Sequence, residues 1–229
     1  MNSAWAVIPV KPFCSAKTRL SHHYPEKMRA EIARAMFEDV LDAVFHATEI
    51  SGCVVVTCGK EAASLAVTRG AVVKKDSEDG DLNDAVALGT AEAFVQGAQT
   101  VVVLPGDLPL LKAGDVSAIL DTQRRTNAIV ICPDLREEGT NALAVPLPSA
   151  IPFAFGPGSF QLHVTAIRAA GFAPQTPRLP RVGLDVDTFE DLTKVIASGQ
   201  SCRTRTMLTT AEFSLMAPNS ANSTIGKCA

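Results

Sequence analysis

Val101-Val-Val-Leu-Pro-Gly-Asp107-Leu-Pro-Leu110 sets four consecutive apolar residues before a turn that ends in a carboxylate. An unbroken apolar run closed by Pro and Gly predicts a short strand buried on both faces, and such strands belong to parallel sheets sandwiched between helices. The run delivers Asp107 to the carboxyl end of its strand, the edge at which open α/β sheets bind ligands. Pro105 and Pro109 stiffen the turn on either side. A carboxylate there suits Mg²⁺, which takes one or two protein carboxylates and leaves its other positions to phosphates and water. The plain alternative is a turn or capping aspartate.

Outward from that strand the same grammar repeats. Apolar, β-branched runs at residues 4–10, 53–57, 71–73, 100–104 and 128–132 alternate with helical patterns. One helix starts near Pro25 and carries Met28, Ile32, Met36, Val40 and Val44 on one stripe. Others are expected at 61–69, 83–95, 113–123 and 159–170. After Asp134 the alternation weakens: 141–148 reads as a strand, 174–180 as a proline-spaced loop or edge, 182–187 as a final strand and 188–197 as its helix. The expected fold is therefore α/β, a Rossmann-like single domain over residues 1–200 with a mostly parallel sheet, helices on both faces and a small antiparallel excursion. Residues 201–229, rich in Ser, Thr and Asn, read as a loosely attached, flexible tail.

The 229 residues are 47% apolar, enough to fill a core, with 21 Lys and Arg against 24 Asp and Glu. A net charge of −3 lacks the general basic surface that non-specific nucleic-acid binding needs, so no nucleic-acid partner is expected. No apolar run reaches the roughly 20 residues of a membrane helix, and MNSAWAVIPVKP lacks the charged start and long apolar stretch of a signal peptide. A cytoplasmic protein with no membrane partner is the expectation. The six cysteines are scattered, without CxxC, and read as buried reduced thiols. The four histidines form no catalytic constellation and read as surface or capping residues.

Chemistry concentrates in loops. Pro9-Val-Lys-Pro-Phe-Cys-Ser-Ala-Lys-Thr-Arg-Leu20 clusters Lys11, Lys17 and Arg19 ahead of a helix, where cations are unfavourable unless an anion sits among them. Phosphate is the natural guest, and a solvated basic loop the alternative. Leu184-Asp-Val-Asp-Thr-Phe-Glu-Asp-Leu192 sets Asp185 and Asp187 on one face if the segment is a strand, and paired carboxylates call for a cation. Asp187 could equally cap the helix that follows, with Glu190 in its first turn. Arg136-Glu-Glu-Gly-Thr-Asn141 and Phe155-Gly-Pro-Gly-Ser-Phe160 carry small residues whose amides can approach an anion, and read equally well as ordinary turns. Asn83 contacts a base or ribose only if the loop at Asp81 faces the cleft.

Taken in order from Trp5 to Ile196, the Pro9–Leu20 loop, the Gly106–Leu111 strand end, the Glu137–Leu143 and Phe155–His163 stretches and the Leu184–Leu192 close resemble the CofC/FbiD guanylyltransferases of coenzyme F420 biosynthesis. They are similar, more distantly, to the molybdopterin nucleotidyltransferases. The resemblance implies a nucleotidyltransferase fold. It also implies transfer of GMP from GTP to the phosphate of 2-phospho-L-lactate, phosphoenolpyruvate or 3-phospho-D-glycerate, with Mg²⁺ as cofactor and the product passed to the next pathway transferase. It assigns Lys11, Lys17 and Arg19 to the GTP phosphates and Asn83 to the nucleoside. Asp107 and Asp187 hold the metal with Asp185 beside them, and Thr140, Gly156 and Ser159 bind the acceptor; Lys17, Asp107 and Asp187 form the catalytic set. Phe189 stands where the family usually has Pro, and the tail runs past the usual end. A metal-dependent sugar-nucleotide glycosyltransferase, reading Asp185-Val-Asp187 as DxD, and a non-catalytic nucleotide-binding module are the rivals. A homo-oligomer is left open.

Overall fold

A computed structural model describes residues 3–77, 80–210 and 213. Strands β1 (Ala4–Pro9), β2 (Ile50–Thr57), β3 (Val72–Lys75), β4 (Thr100–Val103), β5 (Val130–Pro133) and β6 (Thr140–Pro146) form one sheet in the order β3-β2-β1-β4-β6-β5. The β1–β2, β1–β4 and β2–β3 pairs are parallel, and β6 runs antiparallel to both β4 and β5. Helices α1 (Glu26–Phe45), α2 (Lys60–Thr68), α3 (Leu82–Val95), α4 (Ala113–Thr126) and α5 (Ser159–Ala169) complete the layers, followed by α6 (Pro180–Gly183), α7 (Phe189–Ala197) and α8 (Arg203–Leu208).

Alternation within the strands explains their unbroken apolar character. Ala6, Ile8, Cys53, Val55, Val102 and Leu104 enter the core on one face, and Val7, Val54, Val56, Val101 and Val103 enter the core on the other. Both faces are packed against apolar side chains, so apolar residues predominate on each. On the second face α3 lies very close to the sheet at Gly89. A Cβ there would stand 2.6 Å from Val7 Cγ1 and 2.8 Å from Val56 Cγ2. Gly89→Ala is expected to destabilise the protein by about 1–3 kcal/mol through overpacking. Chemical denaturation with an unchanged midpoint would show that α3 can lift away without loss.

The topology decides where the loops meet. From β1 the chain crosses to β2 on one side, while β4 pairs on the other side, so the crevice between β1 and β4 is the switch point of the sheet. The loops after β1 and β4 carry Lys17 and Asp107. The β5–β6 hairpin, closed by a turn in which Glu137 adopts φ 58° and Asp134 N–H donates to Gly139 O, inserts β6 next to β4. Because β6 is antiparallel, its first residues, Thr140 and Asn141, lie at the same edge as the carboxyl ends of its neighbours. This is the expected antiparallel excursion.

Two expectations fail. The strand over 182–187 does not form: Pro180 sits in the first turn of α6, and the chain then continues irregularly to Asp187. Its polar groups are satisfied singly, through Leu135 N–H to Gly183 O and the Asn141 side-chain amide to Val182 O. The segment from Ser201 is also not loose at its start. Asp39 on α1 accepts from Arg203 N–H at 2.8 Å, Thr204 N–H at 3.0 Å and Thr204 Oγ1 at 2.7 Å, tying down α8. Leu208 and Phe213 are buried with Tyr24, Met28 and Val186. Of the expected tail, residues 211, 212 and 214–229 lie outside the described residues.

Candidate active site

The loop after β1 makes two short 3₁₀ turns, and Lys17 between them adopts a left-handed conformation at φ 54°. That local bend turns its side chain inward. Lys17 Nζ donates to Asp107 Oδ2 at 2.6 Å and to Asp187 Oδ1 at 3.0 Å, while Arg19 donates to Asp187 Oδ2 at 2.9 Å. The Lys17 side chain is only 9% exposed. Burial works against its charge, but the two carboxylates outweigh burial and hold its pKa above the ordinary lysine value.

Asp187 is free for this role because it is not the cap of α7. Thr188 is the N-cap, its hydroxyl accepting from Asp191 N–H at 3.3 Å while Asp191 Oδ2 accepts from Thr188 N–H at 3.0 Å. A Thr-x-x-Asp box supplies the first turn, so the expected capping role moves one residue along. Phe189, at that first turn, stacks on His23 with ring centroids 4.6 Å apart. Asp185 does not share a strand face with Asp187; its Oδ1 accepts from the Asn141 side-chain amide at 3.1 Å. Burial pushes the Asp185 carboxyl up, the Asn141 bond opposes this, and the nearby Asp107 and Asp187 charges add to it.

Two cavities meet at these groups. One of about 440 Å³ is lined by Lys11, Lys17, Thr18 and Gly106, and the other, of about 780 Å³, by Thr140, Asn141, Gly156, Ser159 and Asp185. Arg19, Leu82, Pro105, Asp107 and Asp187 line both. Gly156 at φ 132° and Gly158 at φ 72° let the loop before α5 turn over the larger cavity, conformations that side chains resist.

Asn83 does not line either cavity with the others. Its amide clasps the loop opposite: Phe155 N–H donates to Asn83 Oδ1 at 2.6 Å, and Asn83 Nδ2 donates to Phe155 O at 3.1 Å. Asp81 Oδ1 accepts from Asn83 N–H at 2.7 Å, so the helix-start reading holds there.

For a divalent cation, Asp107 and Asp187 offer hard oxygen ligands, and Asp107 Oδ1 is buried with no hydrogen-bond partner among the described residues. Such an orphaned acceptor fits an additional cation. Among the described residues no three His, Cys, Asp or Glu side chains already converge as metal ligands; Asp185 lies near enough to Asp107 and Asp187 to feel both charges.

Two residues escaped sequence reasoning. Asn141 bridges Val182 O and Asp185, visible in sequence only as one member of a turn. His163 is not a surface residue but fully buried, with Ala154 N–H donating to its Nε2 at 2.9 Å and Thr140 Oγ1 3.0 Å from its Nδ1. Satisfying both nitrogens is what makes its burial tolerable. The available signal was its position four residues after Ser159, on the same face of α5.

Burial holds the His163 pKa down at about 4, against an ordinary 6.5, with a backbone hydrogen bond to Ser159 opposing the shift. The unfolded chain therefore takes up a proton near pH 6.5 that the folded protein refuses until about pH 4. Stability is complete above pH 6.5 and falls between those values, by up to about 3 kcal/mol from this group. Urea unfolding at pH 7.5 and 4.5 should show a smaller acid loss in His163→Asn than in the unsubstituted protein; equal losses would clear His163 of this effect.

Comparison with known proteins follows the same lines. The family model described as "Guanylyl transferase CofC like" matches residues 4–225. The chain is 36% identical over 197 residues to the phosphoenolpyruvate guanylyltransferase of Rubrobacter xylanophilus, covering 86% of this chain and 95% of that protein. It is 34% identical over 212 residues to the 3-phospho-D-glycerate guanylyltransferase of Phenylobacterium zucineum, covering 90% and 95%. With the 2-phospho-L-lactate guanylyltransferase of Methanobrevibacter smithii it shares 29% identity over 209 residues, covering 91% and 90%. In fold it resembles a nucleotidyl transferase from Methanothermobacter, with a TM-score of 0.62, 14% identity and coverage of 86% of this chain and 98% of that one. No helix among the described residues is long and apolar enough to cross a membrane. An ordered set of loop motifs, a mixed sheet with its crevice between β1 and β4, and a match spanning nearly the whole chain lead to one placement: this protein belongs to the CofC-like guanylyl transferase family.

Proposed function

We propose that the protein transfers GMP from GTP to the phosphate of a phosphorylated three-carbon acid, releasing pyrophosphate, as a step of coenzyme F420 biosynthesis whose product feeds the next pathway transferase. The observation that carries this reading is the ion-paired wall formed by Lys17, Asp107 and Asp187 where two cavities meet, both suited to anions: Lys11, Lys17 and Arg19 line one, and Arg19, Arg136 and Lys194 line the other. GTP takes the Lys11 side and the acceptor the Thr140 side. Residues 1–200 with the docked α8 make up the catalytic unit.

In this reading Lys11, Lys17 and Arg19 bind the phosphates of GTP. Thr140, Gly156 and Ser159 hold the acceptor's carboxylate and phosphate, and Asn83 acts by fixing the Phe155 loop rather than by touching the nucleoside. An acceptor phosphate oxygen, already ionised near neutral pH, attacks the α-phosphorus. The bond to the β-phosphate breaks and pyrophosphate departs with the electron pair. No general base is required, in keeping with a site whose one histidine is buried against backbone and hydroxyl groups. Bringing two anions together is the barrier, so positioning and fixed positive charge carry the acceleration. Asp107 and Asp187, with Asp185 beside them, would hold Mg²⁺, which when bound neutralises charge on the phosphates.

The decisive experiment incubates the protein with Mg²⁺, each nucleoside triphosphate and each of the three acceptors, then measures pyrophosphate and the mass of the conjugate. Pyrophosphate appearing with GTP and a phospho-acid together is the expected result. Turnover of a sugar nucleotide, or GTP binding with no pyrophosphate under any pairing, would overturn the proposal in favour of a glycosyltransferase or a binding module.

A further inference from the structure

His163 sits one helical turn after Ser159 and touches both walls of the larger cavity without lining it. Its Nε2 accepts the Ala154 backbone N–H, a donor that has no alternative role, so Nε2 must present its lone pair. The proton of the neutral ring therefore resides on Nδ1, 3.0 Å from Thr140 Oγ1. Thr140 Oγ1 accepts from Nδ1–H alongside the Ser159 backbone carbonyl, so the hydrogen of its own hydroxyl must point elsewhere. Among the described residues His163 is the one hydrogen-bond partner of that hydroxyl, and Thr140 lines the cavity.

The ring is also locked against turning over. Its edge meets the Phe155 ring at 4.8 Å between centroids and 69° between planes. Ala154 is held by His163, and Phe155 by the two Asn83 hydrogen bonds, so adjacent residues of the loop are clamped from two elements. A flipped imidazole would set carbon against Ala154 N–H and lose both contacts.

We infer that His163 is a positioning residue for acceptor recognition: its Nδ1–H tautomer forces the Thr140 hydroxyl to act as a donor into the cavity, toward an anionic oxygen of the acceptor. This rests on the reading of that cavity as the acceptor's, and it assigns to a buried side chain the orientation of a group that touches substrate.

Steady-state kinetics on designed variants test it. Thr140→Val should raise the acceptor KM about tenfold or more, the scale of a lost hydrogen bond to a charged group, and leave the GTP KM unchanged; Thr140→Ser should stay close to the unsubstituted protein. His163→Gln, whose amide reaches the Nε2 position but not Nδ1, should raise the acceptor KM by a similar factor. His163→Asn, whose amide N–H stands in for Nδ1–H, should stay within about threefold. Added to Thr140→Val, His163→Gln should cost less than about twofold more, since the hydroxyl it orients is gone.

Equal effects of Asn and Gln, equal effects on both substrates, or additivity with Thr140→Val would reduce His163 to a packing residue and overturn the inference. If the His163 variants do not fold, Thr140→Val alone decides: an unmoved acceptor KM is enough to sink it. Failure of the unsubstituted protein to transfer GMP to any acceptor would instead remove the functional reading beneath it, an outcome separate from normal transfer with acceptor KM untouched.

Discussion

Asp107→Asn lowers the turnover of GMP transfer by at least on the order of 10² at saturating GTP, acceptor and Mg²⁺. The substitution keeps size and shape. An Asn oxygen can still accept from Lys17 where Asp107 Oδ2 now does at 2.6 Å, so the loop after β4 has no reason to rearrange. What disappears is one negative charge at the junction of the two cavities, together with the buried, unpartnered Oδ1 that an additional cation would satisfy. A preorganised charge in such a setting is worth about 3–4 kcal/mol at the transition state, and the effect should fall on kcat rather than on the KM for either substrate. Turnover within a factor of a few of the unsubstituted protein, with saturating Mg²⁺, would take Asp107 out of the mechanism.

Lys17→Met is expected to cost turnover about 10²–10³-fold, for a different reason. Methionine fills the slot of a side chain that is 9% exposed, but it leaves Asp107 and Asp187 facing one another with only the largely exposed Arg19 on the far side of Asp187. The same ammonium that joins the carboxylates also lines the cavity proposed for GTP, so its loss removes both their counterion and a donor to the phosphates. Lys17→Arg should not restore activity, because a planar, longer guanidinium does not match a point charge set between two carboxylates. The measurement is kcat per folded molecule, with the thermal midpoint recorded alongside. A protein that loses stability but keeps its turnover per folded molecule would make Lys17 a structural counterion and nothing more.

Much of the fold was legible because the physics is local. Continuous apolar runs specify doubly covered strands, and Gly, Pro and periodic apolar residues bracket the helices to within a few residues, as at Leu82–Val95 and Ser159–Ala169. The segment 182–187 was misleading for the same reason. Val182, Leu184 and Val186 alternate like a strand, yet only Val182 joins the core with sheet residues, while Leu184 and Val186 pack with Leu20, Met28 and Leu192 in a separate cluster. The start of the expected tail failed similarly: α8 has only six residues, too few to announce themselves, and is held by a tertiary cap from Asp39.

Residue types, their order and the loops that bear them were set by the chain alone: an acidic strand end, a cationic first loop, a glycine-bearing turn before a helix, and with them the family. Tertiary structure decided which of those groups touch. Lys17, Asp107 and Asp187 meet only because β1 and β4 are neighbours at the switch point of the sheet and because Thr188, rather than Asp187, caps α7. Asn83 became a clasp and His163 a buried anchor for the same reason: hydrogen-bond partners 72 and 23 residues away are selected by packing, and spacing along the chain carries no record of them.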